Sequence, residues 1–120
     1  MKVSQPNLYP ESFVTWLANQ GDSRIHAMLR GRIATRLSET NSSFSTKEIT
    51  QQKIDEIDQQ YFDLKEQGKS AESITLFSQA RLFSASMLLD AGNLENALYE
   101  YYHSVDVENP EEIIADLEKV

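Results

Sequence analysis

The sequence predicts an all-α fold, a single-domain bundle of five or six helices. Its apolar residues recur at the three- and four-residue spacing of helix faces, and no stretch alternates apolar with polar residues as a half-buried strand does. Helix start and stop signals divide the chain into successive segments. A length of 120 residues suits one domain with one hydrophobic core. We therefore expect helices alone, with a long third helix and a central buried fourth helix.

A proline and a glycine delimit the first helix. Pro10 is a favoured first helical residue, and Gly21 ends the helix. Asp22 or Ser23 can cap the second helix, which runs to about Ser38. The second helix carries its apolar residues at helical spacing: Ile25, Met28, Leu29, Ile33 and Leu37. This spacing indicates a face that is buried in the core.

A capping box predicts where the third helix begins. In the stretch FSTKEI, Ser45 is placed to accept a hydrogen bond from the Glu48 backbone amide, and the Glu48 side chain reaches back to Ser45. Phe44 before the cap can pack on Ile49 after it. We expect one long helix from this cap to Gly68, with a single apolar stripe facing the core.

The last three helices are predicted from their caps. Ser70 can cap the fourth helix, about 71–91, whose apolar residues cover too wide an arc for a surface helix. Gly92 ends it, and Asn93 caps the fifth helix. The Asn-Pro pair at 109–110 caps the sixth helix. The fourth helix is therefore expected to pack on several neighbours.

Residues 78–110 carry a spacing of small and large residues that is typical of a helical hairpin. The pattern consists of Ala85, Leu88, Gly92, Ala97, Tyr101 and Ser104. These match the small, large, turn-glycine, alanine, aromatic and small positions of a tetratricopeptide repeat, which the stretch resembles. Pro110 falls one residue later than the family's closing proline, and Arg81 replaces its usual first aromatic. The resemblance implies protein or peptide binding without catalysis.

The net charge of −8 lies entirely in the last third of the chain. Residues 1–81 hold ten basic and ten acidic residues, whereas residues 82–120 hold Lys119 against nine acids. Such a field attracts cationic partners and repels nucleic-acid phosphates and anionic lipids. We therefore expect a basic protein partner, and neither nucleic-acid nor membrane binding.

Composition and motifs argue against an enzyme. The chain has no cysteine, no apolar run near the roughly 20 residues that span a bilayer, and no apolar segment of signal-peptide type. It also lacks phosphate-binding, dinucleotide-binding, zinc-protease and calcium-loop motifs. We expect a cytoplasmic protein with no cofactor, no metal and no enzymatic activity.

Two motifs leave other functions open. Glu100 and His103 form one Glu-x-x-His, a spacing that di-iron bundles use twice with two further glutamates. A metal-dependent enzyme that uses this pair and distant carboxylates is therefore a third hypothesis. The second helix carries arginines, but at about 100° per residue Arg32 and Arg36 project beside its core face. We expect these arginines to pair with acids of the same protein.

The fifth helix is predicted to present an acidic and aromatic corner. By helix angle Tyr101 faces the core, Tyr102 lies at the margin, and Tyr99 and His103 project away. Tyr99 either contacts a partner or packs against the sixth helix or the N-terminal stretch PNLYP. The candidate partner-binding residues are Glu95, Tyr99, Tyr102, His103, Asp106, Glu108, Glu111 and Glu112.

These observations predict a protein that works by binding another protein. The most specific hypothesis is an acidic inhibitor of the immunity-protein or antitoxin type, which covers the basic active surface of a nuclease-like toxin. The alternative is a helical adaptor or secretion chaperone that holds a peptide or protein in a tetratricopeptide-like groove.

Overall fold

A computed structural model describes residues 1–39, 50–105 and 109–119, and the regular secondary structure within them is helical. A short 3₁₀ helix at Pro6–Leu8 precedes six α-helices. These are α1 (Glu11–Ala18), α2 (Asp22–Glu39), α3 (Gln51–Glu66), α4 (Ser70–Asp90), α5 (Leu94–Ser104) and α6 (Pro110–Leu117). The described residues form no strand, so the predicted all-α class is confirmed.

Side-chain caps and two glycines define several of the helix ends. The amide oxygens of Asn93 and Asn109 accept backbone N–H groups at the starts of α5 and α6, as their sequence positions predict. Gly68 and Gly92 adopt positive φ values of 77° and 80° after α3 and α4. Glycine reaches this left-handed conformation without strain, which lets the chain turn back tightly into the next helix.

The third helix is shorter than the sequence predicts. It begins at Gln51, and the Thr50 side chain caps it by accepting the Lys53 N–H at 3.2 Å. Thr50 itself is extended, so one continuous helix from Ser45 to Gly68 is ruled out. The predicted capping box of Ser45 and Glu48 lies outside the described residues. A second cap signal at Thr50, nearer the apolar stripe, defines the observed start.

The main core lies among α1, α2, α5, α6 and the C-terminal part of α4. Its largest fully buried side chains include those of Phe13, Leu29, Leu82, Leu98 and Tyr101. Val3 and Tyr9 from the N-terminal segment close one side of it. Helix α4 packs on α2, α3 and α5, which agrees with the central position predicted for it.

A smaller satellite core holds α3 against α4. Among the described residues, four side chains are buried in it, those of Ile54, Ile57, Ala80 and Phe83, with Leu37, Leu76 and Met87 at its edge. Of the described helices, α4 is the one that packs extensively on α3, and α2 reaches this core through Leu37. The α3–α4 hairpin therefore extends from the main core, with most of the surface of α3 turned to solvent. None of the described helices combines the length and apolar character that crossing a membrane requires.

Candidate functional site

The outer face of α5 carries three of the predicted partner-binding residues as one aromatic cluster. Tyr99 and Tyr102 are half-buried, and His103 is exposed. The rings of Tyr99 and His103 meet edge to face with centroids 4.3 Å apart, and Tyr102 lies 5.8 Å from His103. Positions three and four apart share a helix face, so this cluster follows from the sequence spacing. Tyr101 points inward and is fully buried, as its helix angle predicts.

The N-terminal segment covers part of this face. Tyr102 packs on Tyr9 and Phe13, with ring centroids 5.1 Å and 5.2 Å away. Ser4 donates to the Glu95 carboxylate from its backbone N–H and from its hydroxyl, the latter at 2.8 Å. These hydrogen bonds lower the pKa of Glu95. Glu95 is therefore engaged by a residue 91 positions away, a contact with no signal in the local sequence.

A cavity of about 260 Å³ separates the N-terminal segment from α5. Leu8, Tyr9, Glu95 and Tyr99 are among its lining residues. Burial, reinforced by the negative charge of Glu95, raises the pKa of Tyr9, so its hydroxyl stays protonated. Tyr99 thus faces the N-terminal stretch, one of the two packing partners expected for it, while its ring also contacts His103.

Two further candidate acids lie at the start of α6. Glu111 and Glu112 are exposed in its first turn, where the helix dipole favours negative charge. The side chain of Asn109 orients this turn by accepting the Glu111 N–H at 2.9 Å. The two other candidates, Asp106 and Glu108, lie outside the described residues.

A buried ionic network joins α2, α5 and α6 beneath this surface. The Asp116 carboxylate accepts hydrogen bonds from Arg32 at 2.9 Å and from Arg36 at 3.0 Å. The Tyr101 hydroxyl donates to the other Asp116 oxygen, and Arg36 also donates to that hydroxyl at 3.1 Å. One carboxylate of α6 thus pairs with both arginines that flank the core face of α2. The expected pairing of Arg32 and Arg36 with acids of the same protein is confirmed.

Burial and hydrogen bonding act in opposite directions on this network. Burial alone would raise the pKa of Asp116, but the hydrogen bonds from Tyr101, Arg32 and Arg36 outweigh it and lower that pKa. Burial and the adjacent carboxylate raise the pKa of the Tyr101 hydroxyl. The network therefore holds an ionised Asp116 and a protonated Tyr101, an arrangement that binds the helices together.

A second network involves the residue that interrupts the tetratricopeptide pattern. Arg81 on α4 donates to Asp58 on α3 and to Glu100 on α5, each at 2.9 Å. Glu100, one half of the Glu-x-x-His motif, is therefore paired with an arginine. Within the residues that the structure describes, no group of three or more histidine and carboxylate side chains is placed to hold a metal ion.

Folding brings acids of the C-terminal third to arginines from the rest of the chain. Asp90 lies 3.7 Å from Arg30 at the surface, and Asp116 and Glu100 are paired as described above. The division between a neutral region and an acidic region is therefore less marked on the folded surface than along the sequence. Exposed acids lie at the ends of α6 and also along α3, namely Asp55, Glu56, Asp63, Glu66, Glu111, Glu112 and Glu118.

An open groove runs between α4 and the end of α5. It has a volume of about 390 Å³ and is lined by Arg36, Ile74, Phe77, Ser78 and Val105 among others. The Ser78 hydroxyl donates to the Ser104 carbonyl at 2.8 Å, which holds the two helices together at the groove floor. This groove adjoins the helical hairpin that resembles a tetratricopeptide repeat, which contributes Ser78, Ser104 and Val105 to its lining.

The described structure is thus an all-α protein with candidate partner-binding residues on the outer face of α5 and in the first turn of α6, and with an open groove between α4 and α5. Comparisons with protein-family models, curated proteins and solved structures find no match for this chain.

Proposed function

We propose that this protein is an acidic inhibitor of the immunity-protein or antitoxin type. In this proposal it acts in the cytoplasm and neutralises a nuclease-like toxin by covering the toxin's basic active surface. The observation that carries the proposal is the exposed pair Glu111 and Glu112, which forms no ion pair within the described part of the chain. Nuclease active surfaces carry cations that bind phosphates, so such carboxylates match them in charge.

The aromatic cluster supplies the second element of the proposed interface. Tyrosine provides a large, rigid contact area at low entropic cost and is enriched among the residues that dominate binding energy. Tyr99 and Tyr102 are half-buried, and each ring contacts the exposed His103. A partner that meets the Glu111 and Glu112 carboxylates can pack on this cluster from the adjoining end of α5.

The contact between Ser4 and Glu95 makes Glu95 a weaker candidate for binding a partner than the acids of α6. A carboxylate that already accepts two hydrogen bonds contributes less to a new contact, because those bonds are lost when it changes partner. We therefore assign the main electrostatic role to Glu111 and Glu112. Glu95 instead orients the N-terminal segment along α5.

The proposal is tested by capturing the native partner and measuring its association rate at increasing salt. The variant Glu111→Gln/Glu112→Gln should associate several-fold more slowly than the unmodified protein and lose part of its salt dependence. The matched control is Glu11→Gln/Asp22→Asn, which removes two exposed acids from the first turns of α1 and α2. Equal slowing by both variants would show that net charge matters and the α6 position does not.

A functional measurement completes this test. The captured partner should be a basic protein whose nuclease activity is abolished by one equivalent of this chain. A captured partner without nuclease activity, or one that remains fully active in the complex, would contradict the inhibitor proposal.

The second candidate function is a helical adaptor or secretion chaperone that holds a peptide or protein segment. The open groove between α4 and α5 favours it, because Ile74 leaves 51% of its surface exposed there. Under this proposal Ile74→Ala should weaken peptide binding more than Glu111→Gln/Glu112→Gln does. The reverse order of effects would favour the inhibitor.

A further inference from the structure

Two of the exposed large hydrophobic residues lie on the α3–α4 hairpin. Among the described residues, Phe62 is 55% exposed, Ile74 is 51% exposed and Leu8 is 43% exposed. Leu8 belongs to the N-terminal segment, whereas Phe62 and Ile74 lie near the facing ends of α3 and α4. Isolated exposed apolar residues are common on protein surfaces, so what matters is whether these two are connected.

Ring contacts connect them into one apolar strip. The ring centroid of Phe62 lies 5.1 Å from that of Tyr61, and Tyr61 lies 5.3 Å from Phe77. Phe77 and Ile74 line the same groove. We define the apolar strip as Phe62, Tyr61, Phe77 and Ile74. It runs from the outer face of α3 to the groove between α4 and α5.

Acidic side chains flank the Phe62 end of the apolar strip. At about 100° per residue, Asp55 and Glu66 project within about 40° of Phe62, and both are exposed. At 1.5 Å per residue they stand about 10 Å before it and about 6 Å after it along the helix. Lys65 lies on the Tyr61 side of Phe62, with its ammonium group 5.7 Å from the Tyr61 ring centre.

The arginines near the apolar strip are already neutralised. Arg81 lies over Phe77 at 5.6 Å but forms ion pairs with Asp58 and Glu100. Arg36 at the groove wall is paired with Asp116. Apart from Asp58, which pairs with Arg81, residues 51–66 of α3 contain four acids and two lysines. The surface around Phe62 is therefore net negative.

We propose that the apolar strip binds a basic amphipathic helix of a partner protein. An apolar side chain of that helix packs on Phe62, and cations on either side of it meet Asp55 and Glu66. The charge pattern selects this occupant over a second copy of the chain, because a symmetric contact through Phe62 would place these acids opposite one another. The exposed Phe62 ring also offers its face to a lysine or arginine of the partner.

The proposal deepens the second candidate function and rests on its premise that the groove receives a protein segment. It adds the chemistry of that segment and extends the contact from the groove to the outer face of α3. The two claims separate experimentally, because Ile74 belongs to the groove and Phe62 lies outside it.

The test uses an 18-residue leucine–lysine amphipathic peptide with a fluorescent label, measured by anisotropy against the full chain. Phe62→Ala should weaken its binding roughly tenfold, the typical cost of truncating an aromatic contact residue. Ile74→Ala should also weaken it, and Asp55→Asn/Glu66→Gln should lower both the affinity and its salt dependence. Leu8→Ala is the matched control, an exposed apolar residue outside the strip, and should have no effect. Circular dichroism checks that each variant keeps its helices.

Several results would overturn the proposal. If Ile74→Ala alone weakens binding, the groove receives the peptide but the strip on α3 does not, so the second candidate function survives without this inference. Equal binding of all variants contradicts both. Equal binding of a leucine–glutamate peptide contradicts this inference alone, because the second candidate function does not specify the charge of the bound segment. Sedimentation velocity gives a further check, because a dimer that Phe62→Ala dissociates would assign the strip to a second copy of the chain.

Discussion

The main core and the satellite core differ in how many helices hold each element in place. In the main core, α5 is packed by α4 and α2, and the Asp116 network ties it to α6. In the satellite core, α3 has α4 as its one extensive neighbour among the described helices, touches Leu37 of α2 at the edge, and buries two isoleucines. Local stability depends on buried apolar contact and protected hydrogen bonds. We therefore infer that the main core sets the global stability, and that α3 opens at lower cost.

The comparison also separates two kinds of surface. The face on α5 and α6 lies over the rigid main core, where the aromatic cluster and the N-terminal segment are fixed by tertiary contacts. The apolar strip lies on the hairpin, where α3 has a single substantial neighbour. A partner bound to the strip would bury more of α3 and stabilise it, whereas a partner on α6 would leave the stability of α3 unchanged.

The largest expected effect comes from breaking the Asp116 network. Asp116→Asn leaves Arg32 and Arg36 without their counter-charge in a site where the Asp116 side chain is only 8% exposed. Removing one partner of a buried ion pair typically costs about 3–5 kcal/mol in the free energy of unfolding. Urea denaturation measures this cost. Asp90→Asn is the control, because its pair with Arg30 is well exposed and should contribute under about 1 kcal/mol.

The next effect should be confined to the hairpin. Ile57→Ala removes one of the two buried isoleucines of α3 and should weaken its packing by about 2–5 kcal/mol. Trp16, the single tryptophan, contacts Phe13 in the main core, so its fluorescence reports on that core. In this variant the circular dichroism signal should begin to fall at a lower urea concentration than the Trp16 signal. The control Ile113→Ala, in the main core, should shift both signals together. Coincident transitions of the two signals in Ile57→Ala would contradict the division between the main core and the satellite core.

A smaller effect is expected where the two regions are joined. Arg81→Gln leaves the Asp58 and Glu100 carboxylates without their shared cation and should cost about 1.5–3 kcal/mol, the range for hydrogen bonds to charged groups. The urea midpoint of unfolding measures this loss. The control Arg30→Gln breaks only an exposed ion pair. A midpoint equal to that of this control would show that the ion pairs of Arg81 contribute nothing measurable to the free energy of unfolding.

The pH dependence of the free energy of unfolding should reveal the Asp116 network. Because the pKa of Asp116 is lowered by folding, the unfolded chain takes up this proton at a higher pH than the folded protein does. The stabilisation that ionised Asp116 contributes is fully present above about pH 3.9, the pKa of an aspartate carboxyl in the unfolded chain. It is lost as the pH falls through the lower pKa that Asp116 has in the folded protein. Stability measured below about pH 4 should therefore decline less steeply in Asp116→Asn than in Asp90→Asn. Identical slopes would exclude the network as a source of acid sensitivity.

The sequence predicts local features of this molecule better than distant ones. Gly92, Asn93 and Asn109 mark helix ends because turn and cap preferences depend on neighbouring backbone. The inward position of Tyr101 follows from the helix period. The pairing of Asp116 with Arg32 and Arg36 does not, because no local signal shows which distant arginines an acid of α6 meets.

The candidate site shows the same limit. The spacing of Tyr99 and His103 predicts their common face, and the structure places their rings in contact. The hydrogen bonds between Ser4 and Glu95 depend on how the N-terminal segment packs on α5. Thr50 carries a cap signal, but the stronger pattern at Ser45 predicted an earlier start. Competing local signals and long-range packing therefore account for the features that the sequence did not predict.

Native-state hydrogen exchange tests the division between the two regions most directly. Amide protection measured residue by residue at low urea gives the opening free energy of each helix. We expect amides around Ile57 in α3 to be at least roughly 100-fold less protected than those around Tyr101 in α5, because among the described helices α4 alone packs extensively on α3. Equal protection in the two helices, with both exchanging only by global unfolding, would contradict the account.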